Sequence, residues 1–318
     1  MTEFTLAAND GAWRAYERYQ KAAGHSPRTR QSWREAGTQL ETWAAARPSA
    51  RKGKRAAAAG ADLLAMSRAD LEDFIGHIVE TRSAATAAVR YRGLHSFYAW
   101  AADPRRGDLI ETSPMAGMPC PKTGDRAPVV ASDDDIAALV AACRKGRGFE
   151  DRRDLALVTL MLAYGAPRAS ELAALKVTDV DPRQELVKVV DGKGGKSRVF
   201  PMSEDFALAL MRYLPLRQAH PHAGCEQLFV GTKGPMTRFG VAQMLKRRCR
   251  QAGIAPVGPH RLRHRAAHDF FTAGGSEGNA MMLFGWSSIT MPQLYARHSR
   301  VSRAIDDARA RAPRRLAG

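Results

Sequence analysis

Gly258-Pro-His-Arg-Leu-Arg-His264 reads as the start of a helix. Pro259 sits where a first-turn proline belongs, so His260, Arg263 and His264 fall on one face at i, i+3 and i+4. His268 extends the stripe. A row of histidines raises the question of zinc, but Arg261 follows the first histidine where a metalloprotease helix needs a glutamate. The neighbouring arginines also repel a cation, so no metal is expected. A purely structural histidine face is the plain alternative.

Moving towards the N-terminus, Tyr164-Gly-Ala-Pro-Arg-Ala-Ser-Glu-Leu172 repeats the architecture. Pro167 marks a first turn and places Arg168 in the opening turn of a helix, whose N-terminus favours anions. Glu171, three residues on, shares a face with Arg168 and can hold its guanidinium in one orientation. Taken alone, such a pair is ordinarily solvated surface decoration.

Between these stretches, Glu185 to Val190 and Ser197 to Met202 pair as a hairpin around the glycine-rich turn Asp191 to Gly195. Gly192-Lys-Gly-Gly-Lys-Ser197 invites a phosphate-loop reading. It fails twice, because the required earlier glycine falls on Val190 and a strand follows instead of a helix. What remains is Lys193 at a hairpin tip, a flexible ammonium able to reach into a groove. Downstream, Gly285 in Leu283-Phe-Gly-Trp286 ends one helix, and Ser288 or Thr290 begins the next, which carries Tyr295.

Ser132, followed by Asp133 to Asp135, caps the first helix of this region, and the apolar run Leu155 to Ala166 reads as a buried helix. That run is well short of the roughly 18 to 20 residues that cross a bilayer. Ahead of it, Met115 to Ala127 is the linker candidate, with Pro119, Pro121, Gly124 and Pro128 in or beside it.

The N-terminal part reads as four helices. They run from Ala12 to Ala22, from Ser26 and Pro27 to about Ala46, from Ser67 to about Glu80, and from Ser83 to about Ala102. Val89, Leu94, Phe97 and Trp100 recur at helical spacing in the fourth. The basic run Arg51 to Arg55 reads as a solvated loop. The expected division is a helical domain over 1–118, a linker over 119–130 and a second domain over 131–318. The fold class is mainly α with a small β-sheet.

The 318 residues suffice for two domains with cores of their own. Lys and Arg outnumber Asp and Glu by 49 to 32, a net charge of +17 that points to a polyanionic partner. Cys120, Cys143, Cys225 and Cys249 show no CxxC spacing, so neither a disulfide framework nor a zinc ribbon is indicated, and a reducing cytoplasm fits. Met1 to Asp10 lacks the pattern of a secretory signal, and a soluble protein without a membrane partner is expected.

Each motif is modest singly, and their order is the strong signal: Arg with Glu three later, a hairpin Lys, His-x-x-Arg, then Trp and Tyr at short spacing. The chain resembles the tyrosine recombinase, or phage integrase, family, whose motifs read like Arg-x-Ser-Glu-Leu, Gly-Lys-Gly-x-Lys, His-x-Leu-Arg-His, Leu-Gly-(His/Trp) and a terminal Tyr. Gly24-His-Ser-Pro27 and Thr112-Ser-Pro-Met115 extend the likeness into the N-terminal part. The start of the first helix within about a dozen residues of Met1 matches the compact two-domain type without an arm-binding domain.

The resemblance implies a four-helix, SAM-like core-binding domain and a mixed α/β catalytic domain that together clamp duplex DNA. It implies that Tyr295 attacks a phosphodiester to form a 3′-phosphotyrosyl link and release a 5′-hydroxyl. Arg168 and Arg263 would hold the phosphate, and Lys193 would protonate the leaving oxygen. His260 would exchange a proton with Tyr295 or donate to the phosphate, with Glu171 and His264 in support. No cofactor, metal or nucleotide is implied. The implied assemblies are a dimer on each core site and a homotetramer in the synapse, with an accessory directionality factor as a further partner and the nucleoid as the location. The arginine-rich tail, helical from Ser302 to Arg311, would dock on a neighbouring protomer or bind DNA, with docking the favoured reading.

Two departures stand out. The family's usual Thr-Gly before the first motif is Gly165-Ala166 here, and the position often held by histidine is Trp286, whose indole N–H donates but cannot shuttle a proton. Two competing readings are a type IB topoisomerase and a non-catalytic DNA-binding regulator of the same fold. The compact N-terminal domain argues against the first, and the retained Arg168, Lys193, His260, Arg263 and Tyr295 against the second.

Overall fold

A computed structural model describes residues 2–46, 62–124, 130–190 and 197–295, together with 305, 308, 309 and 311. The chain divides into two compact units, Met1–Asp125 and Arg126–Gly318. That boundary falls inside the stretch 119–130 expected as a linker.

The first unit holds α1 (Thr2–Ala22), α2 (Pro27–Ala46), α3 (Arg68–Thr81) and α4 (Ala84–Ala101). Three of the starts are set by serines whose hydroxyls accept a backbone N–H three residues on: Ser26 from Thr29, Ser67 from Asp70 and Ser83 from Thr86. Asp70 returns the bond to the Ser67 N–H and closes a capping box.

The sequence misplaces the start of α1, which begins at Thr2 and not Ala12. Asn9 and Gly11 are weak helix formers, but the Asn9 side chain accepts the Leu63 N–H at 3.1 Å, and that tertiary bond outweighs propensity. Val89 also departs from expectation by facing outward, while Leu94, Phe97 and Trp100 are buried. Trp13 stacks on Phe97 with ring centroids 4.2 Å apart. Gly37 lets α2 close on that ring, since a Cβ there would lie 2.1 Å from Trp13.

The second unit is built around α6 (Phe149–Leu162), every residue of which from Arg153 to Met161 is buried. Packed against it are α5 (Asp133–Arg144), α8 (Glu204–Gln218) and α10 (Pro259–Thr272), and α9 (Arg238–Ala252) packs on α5. The apolar run expected as one helix to Ala166 stops at Leu162, because Gly165 takes φ +92° and turns the chain towards the next motif. Asp154, fully buried, joins α6 to α9: one carboxylate oxygen accepts from Arg153 at 2.7 and 2.9 Å, the other from Arg247 at 2.7 Å and Arg248 at 2.8 Å.

The expected hairpin forms from β2 (Leu186–Val189) and β3 (Arg198–Pro201), antiparallel, with Val187 opposite Phe200. A two-residue strand β1 (Val180–Asp181) adds to it in the order β1-β2-β3, and β4 (Val230–Gly231) pairs with β5 (Gly234–Pro235). Two further helices, α7 (Ala169–Ala174) and α11 (Glu277–Phe284), complete the unit. Among the described residues, no helix is long and apolar enough to cross a membrane.

Candidate active site

The turn after α6 leads into α7, whose first residues carry Arg168 and Glu171. Arg168 is the N-cap, with extended backbone at φ −69° and ψ 157°, and so stands one step before the opening turn in which the sequence places it. The reason is Glu171, whose Oε2 accepts the Arg168 N–H at 2.8 Å. That capping bond requires the residue three before the glutamate to stay outside the helix. Glu171 also accepts from the Arg168 guanidinium at 2.8 Å, so one carboxylate fixes both the backbone and the side chain of Arg168. The other end of that guanidinium donates to the Gly285 carbonyl at 3.2 Å.

Arg263 lies one turn into α10, which starts at Pro259 as its sequence predicts. The side chain is buried and donates to the carbonyls of Ala166 and Phe284, with its guanidinium 5.4 Å from the Phe284 ring centre. It therefore ties the turn after α6 to the end of α11.

A third arginine was not singled out by its motif. Arg198 opens β3, is buried, and donates to Glu171 at 2.7 Å, to the Leu283 carbonyl at 2.9 Å and to the Gly165 carbonyl at 3.4 Å. The available signal was the alternation along β3, which turns Arg198 and Phe200 inward and leaves Val199 exposed.

Two guanidiniums thus bond a single carboxylate, and a third, that of Arg263, lies within electrostatic reach of it. Burial alone would raise the Glu171 pKa, but hydrogen bonds from Arg198 and from the Arg168 backbone and side chain, with the Arg198 charge, hold it at about 2. Burial, reinforced by Arg168 and Arg198, pushes Arg263 down to about 9, which leaves it charged at neutral pH. The cluster carries an excess of positive charge in a partly dehydrated setting, which suits a bound anion.

The tyrosine approaches the same cluster from the C-terminal side. Gly285 ends α11 in the left-handed conformation at φ +61°, and the Trp286 N–H closes that end on the Met281 carbonyl at 3.0 Å. Helical structure resumes over 290–295. Ser288 accepts the Thr290 N–H at 3.2 Å, and the Gln293 N–H reaches the Ile289 carbonyl at 3.0 Å. Trp286 stacks on Phe284 at 4.9 Å and on Tyr295 at 5.6 Å.

Tyr295 is 4% exposed, and its hydroxyl is buried without a hydrogen-bond partner among the described residues. It belongs to one buried cluster with Ala166, Ala267, Phe271 and Phe284, and two of these also offer their carbonyls to Arg263.

Of the α10 face, His264 is half-buried, with its ring centre 5.6 Å from that of Tyr295. Burial, His260 and Arg263 lower its pKa, which favours the neutral imidazole. His260 is exposed at the helix start, and His268 turns instead to Asp269 at 3.4 Å. The described residues contain no group of three or more His, Cys, Asp or Glu able to hold a metal ion. Lys193 lies outside the described residues, as does most of the expected tail helix. Ile305, Ala308, Arg309 and Arg311 are described, and all are helical and exposed.

Residues 130–301 match the phage integrase family. The chain is 32% identical over 237 residues to tyrosine recombinase XerD of Ralstonia nicotianae, covering 73% of this chain and 75% of that protein. It is 30% identical over 255 residues to tyrosine recombinase XerC of Corynebacterium efficiens, covering 80% of each.

The fold is shared with XerH site-specific recombinase bound to difH, with a TM-score of 0.67, 17% identity and coverage of 93% and 84% of the two chains. It is also shared with the Tn1549 transposon integrase in complex with transposon right end DNA, with a TM-score of 0.66, 19% identity and coverage of 95% and 99%. The matched lengths exceed that of the second unit, so the likeness reaches into the first. The chain therefore belongs to the phage integrase family, the tyrosine recombinases, and is a site-specific recombinase that cleaves and rejoins DNA strands.

Proposed function

We propose that Tyr295 is the nucleophile of this recombinase and that Arg168 and Arg263 hold the scissile phosphate. The observation that carries the reading is that Tyr295 belongs to the same buried cluster as Ala166 and Phe284, the two residues whose carbonyls accept from Arg263, which groups the phenol with a positively charged, partly dehydrated site. The phenol oxygen attacks phosphorus and passes its proton to His260. The bond to the 5′-oxygen breaks, and that oxygen takes a proton from Lys193. The 3′-phosphotyrosyl link conserves the bond energy, and a 5′-hydroxyl from another strand reverses the step without a nucleotide.

Arg168 and Arg263 stabilise the charge that grows on the non-bridging oxygens. Trp286 donates its indole N–H to the phosphate and cannot shuttle a proton, which leaves acid–base work to Lys193 and His260. His264, beside the Tyr295 ring, and Glu171, bonded to Arg168, support these groups. For the enclosed hydroxyl to reach DNA, the segment 290–295 must turn it out of its aromatic stack.

The N-terminal helices over 1–118 serve as a SAM-like core-binding domain, joined through 119–130 to the catalytic domain over 131–318. Two protomers occupy each site and four form the synapse in the nucleoid, with an accessory factor setting direction. The tail docks on a neighbouring protomer.

The test is covalent trapping. Wild-type protein expressed in cells and denatured should carry a short DNA tag whose sequence reports the target site. Tyr295→Phe should bind that site with little loss and form no adduct. A wild-type protein that forms no denaturant-resistant adduct on the recovered site would overturn the assignment.

A further inference from the structure

Arg198 has no role in the reaction described above, yet its guanidinium makes three hydrogen bonds at the site. It joins three segments distant in sequence: Glu171 of α7, the Leu283 carbonyl of α11 and the Gly165 carbonyl of the turn after α6. It is buried to within a few per cent on a strand whose neighbouring position, Val199, is half exposed. A buried guanidinium is retained at a large desolvation cost only where its donors are met, and here the carboxylate and two carbonyls meet them.

The geometry assigns Arg198 the task of fixing Glu171 so that Glu171 fixes Arg168. Glu171 has two oxygens with separate duties. Among the described residues, Oε1 accepts from the Arg168 guanidinium, while Oε2 accepts from the Arg168 backbone N–H and from Arg198. The bonds to Arg168 are local and move with the start of α7. Arg198 is the non-local anchor, which ties the same carboxylate to β3 and so holds Oε1 in place against the rest of the site. Gly285 completes the clamp, because its carbonyl accepts from Arg168 while a Cβ there would stand 3.2 Å from Arg198 Cδ. Arg198 is therefore a positioning residue: it acts on the phosphate through Glu171 and Arg168.

This inference rests on the proposed clamp by Arg168 and Arg263, and its test separates the two. Synthetic duplexes carrying the recovered site are prepared with three forms of the scissile linkage: native phosphate, a neutral methylphosphonate, and a 5′-bridging phosphorothiolate whose sulfur leaves without a proton. Arg198→Met should slow cleavage of the native linkage by about 10- to 100-fold, the usual loss when a residue that orients a charged active-site group is removed.

If Arg198 works through the clamp, most of that loss disappears on the methylphosphonate, where no extra charge needs compensating, and persists on the phosphorothiolate. Adding Arg198→Met to Glu171→Gln should then cost nothing further. A loss of equal size on all three linkages, or one relieved only by the better leaving group, would overturn the assignment. Should Arg198→Met fail to fold, Arg198→Lys retains the cation without the planar set of donors and takes the same test. The control is Arg168→Ala: if the methylphosphonate does not relieve that variant, the clamp reading itself falls, irrespective of Arg198.

Discussion

The indole of Trp286 and the phenol ring of Tyr295 lie almost parallel, at an interplanar angle of 4° with centroids 5.6 Å apart. Phe271 is parallel to the same phenol within 8°, at 6.3 Å. Each such aromatic pair stabilises by about 0.5 to 1.5 kcal/mol beyond its buried area. The enclosed hydroxyl opposes this, since leaving a buried polar group unmet costs about 1 to 3 kcal/mol. The two contributions are of similar size and opposite sign, so the hydroxyl offsets what the ring contacts add beyond burial.

Tyr295→Phe removes the unmet hydroxyl and keeps both ring contacts. Its stability should equal that of the wild type or exceed it by about 1 kcal/mol. Urea denaturation of the two proteins, compared at equal m-values, reads this directly. A fall in the midpoint would mean that the hydroxyl has a partner in the folded chain.

Glu171 predicts an acid-labile site. Its carboxyl is at about 2 in the folded chain against an ordinary value of 4.5, a depressed acid. The stability it contributes is therefore complete above about 4.5 and is lost as pH falls towards about 2. Denaturation midpoints measured between those limits should fall faster for wild type than for Glu171→Gln, and the two curves should converge at the acid end. Parallel curves would mean that another carboxyl governs this range.

The arginine cluster should also bind a simple anion in the absence of DNA. Inorganic phosphate present at ten times its dissociation constant would stabilise the fold by about 1.4 kcal/mol. The expected observation is a rise in thermal midpoint over chloride at matched ionic strength, reduced in both Arg168→Ala and Arg263→Ala. An equal rise in the variants would trace the effect to general salt exclusion and not to the cluster.

What the sequence disclosed, and what it did not, follows from how local each interaction is. The starts of α2, α3, α4 and α5 were legible because a serine hydroxyl meets an N–H three residues away. The start of α1 was not, because it depends on Asn9 meeting Leu63 across the fold. Arg168 was found but placed one position late, since periodicity cannot tell a capping glutamate from one that only shares a face. β1, β4 and β5 are two residues each, too short for alternation to register. Arg198 was missed although its strand was expected, because two of its three acceptors are backbone carbonyls, which leave no trace in side-chain pattern.

The same carbonyls bear on how this site tolerates change. Gly165, Ala166, Leu283, Phe284 and Gly285 each present a main-chain oxygen to Arg198, Arg263 or Arg168. An oxygen of that kind is supplied by any residue, so what must be preserved along these two turns is the path of the chain and not its lettering. In this chain a side-chain requirement remains at 165, where the left-handed backbone and a Cβ position 2.6 Å from Phe200 call for glycine. These two turns would then be among the most rigidly specified parts of the enzyme in their backbone, while their other side chains could change with little effect on whether catalysis survives.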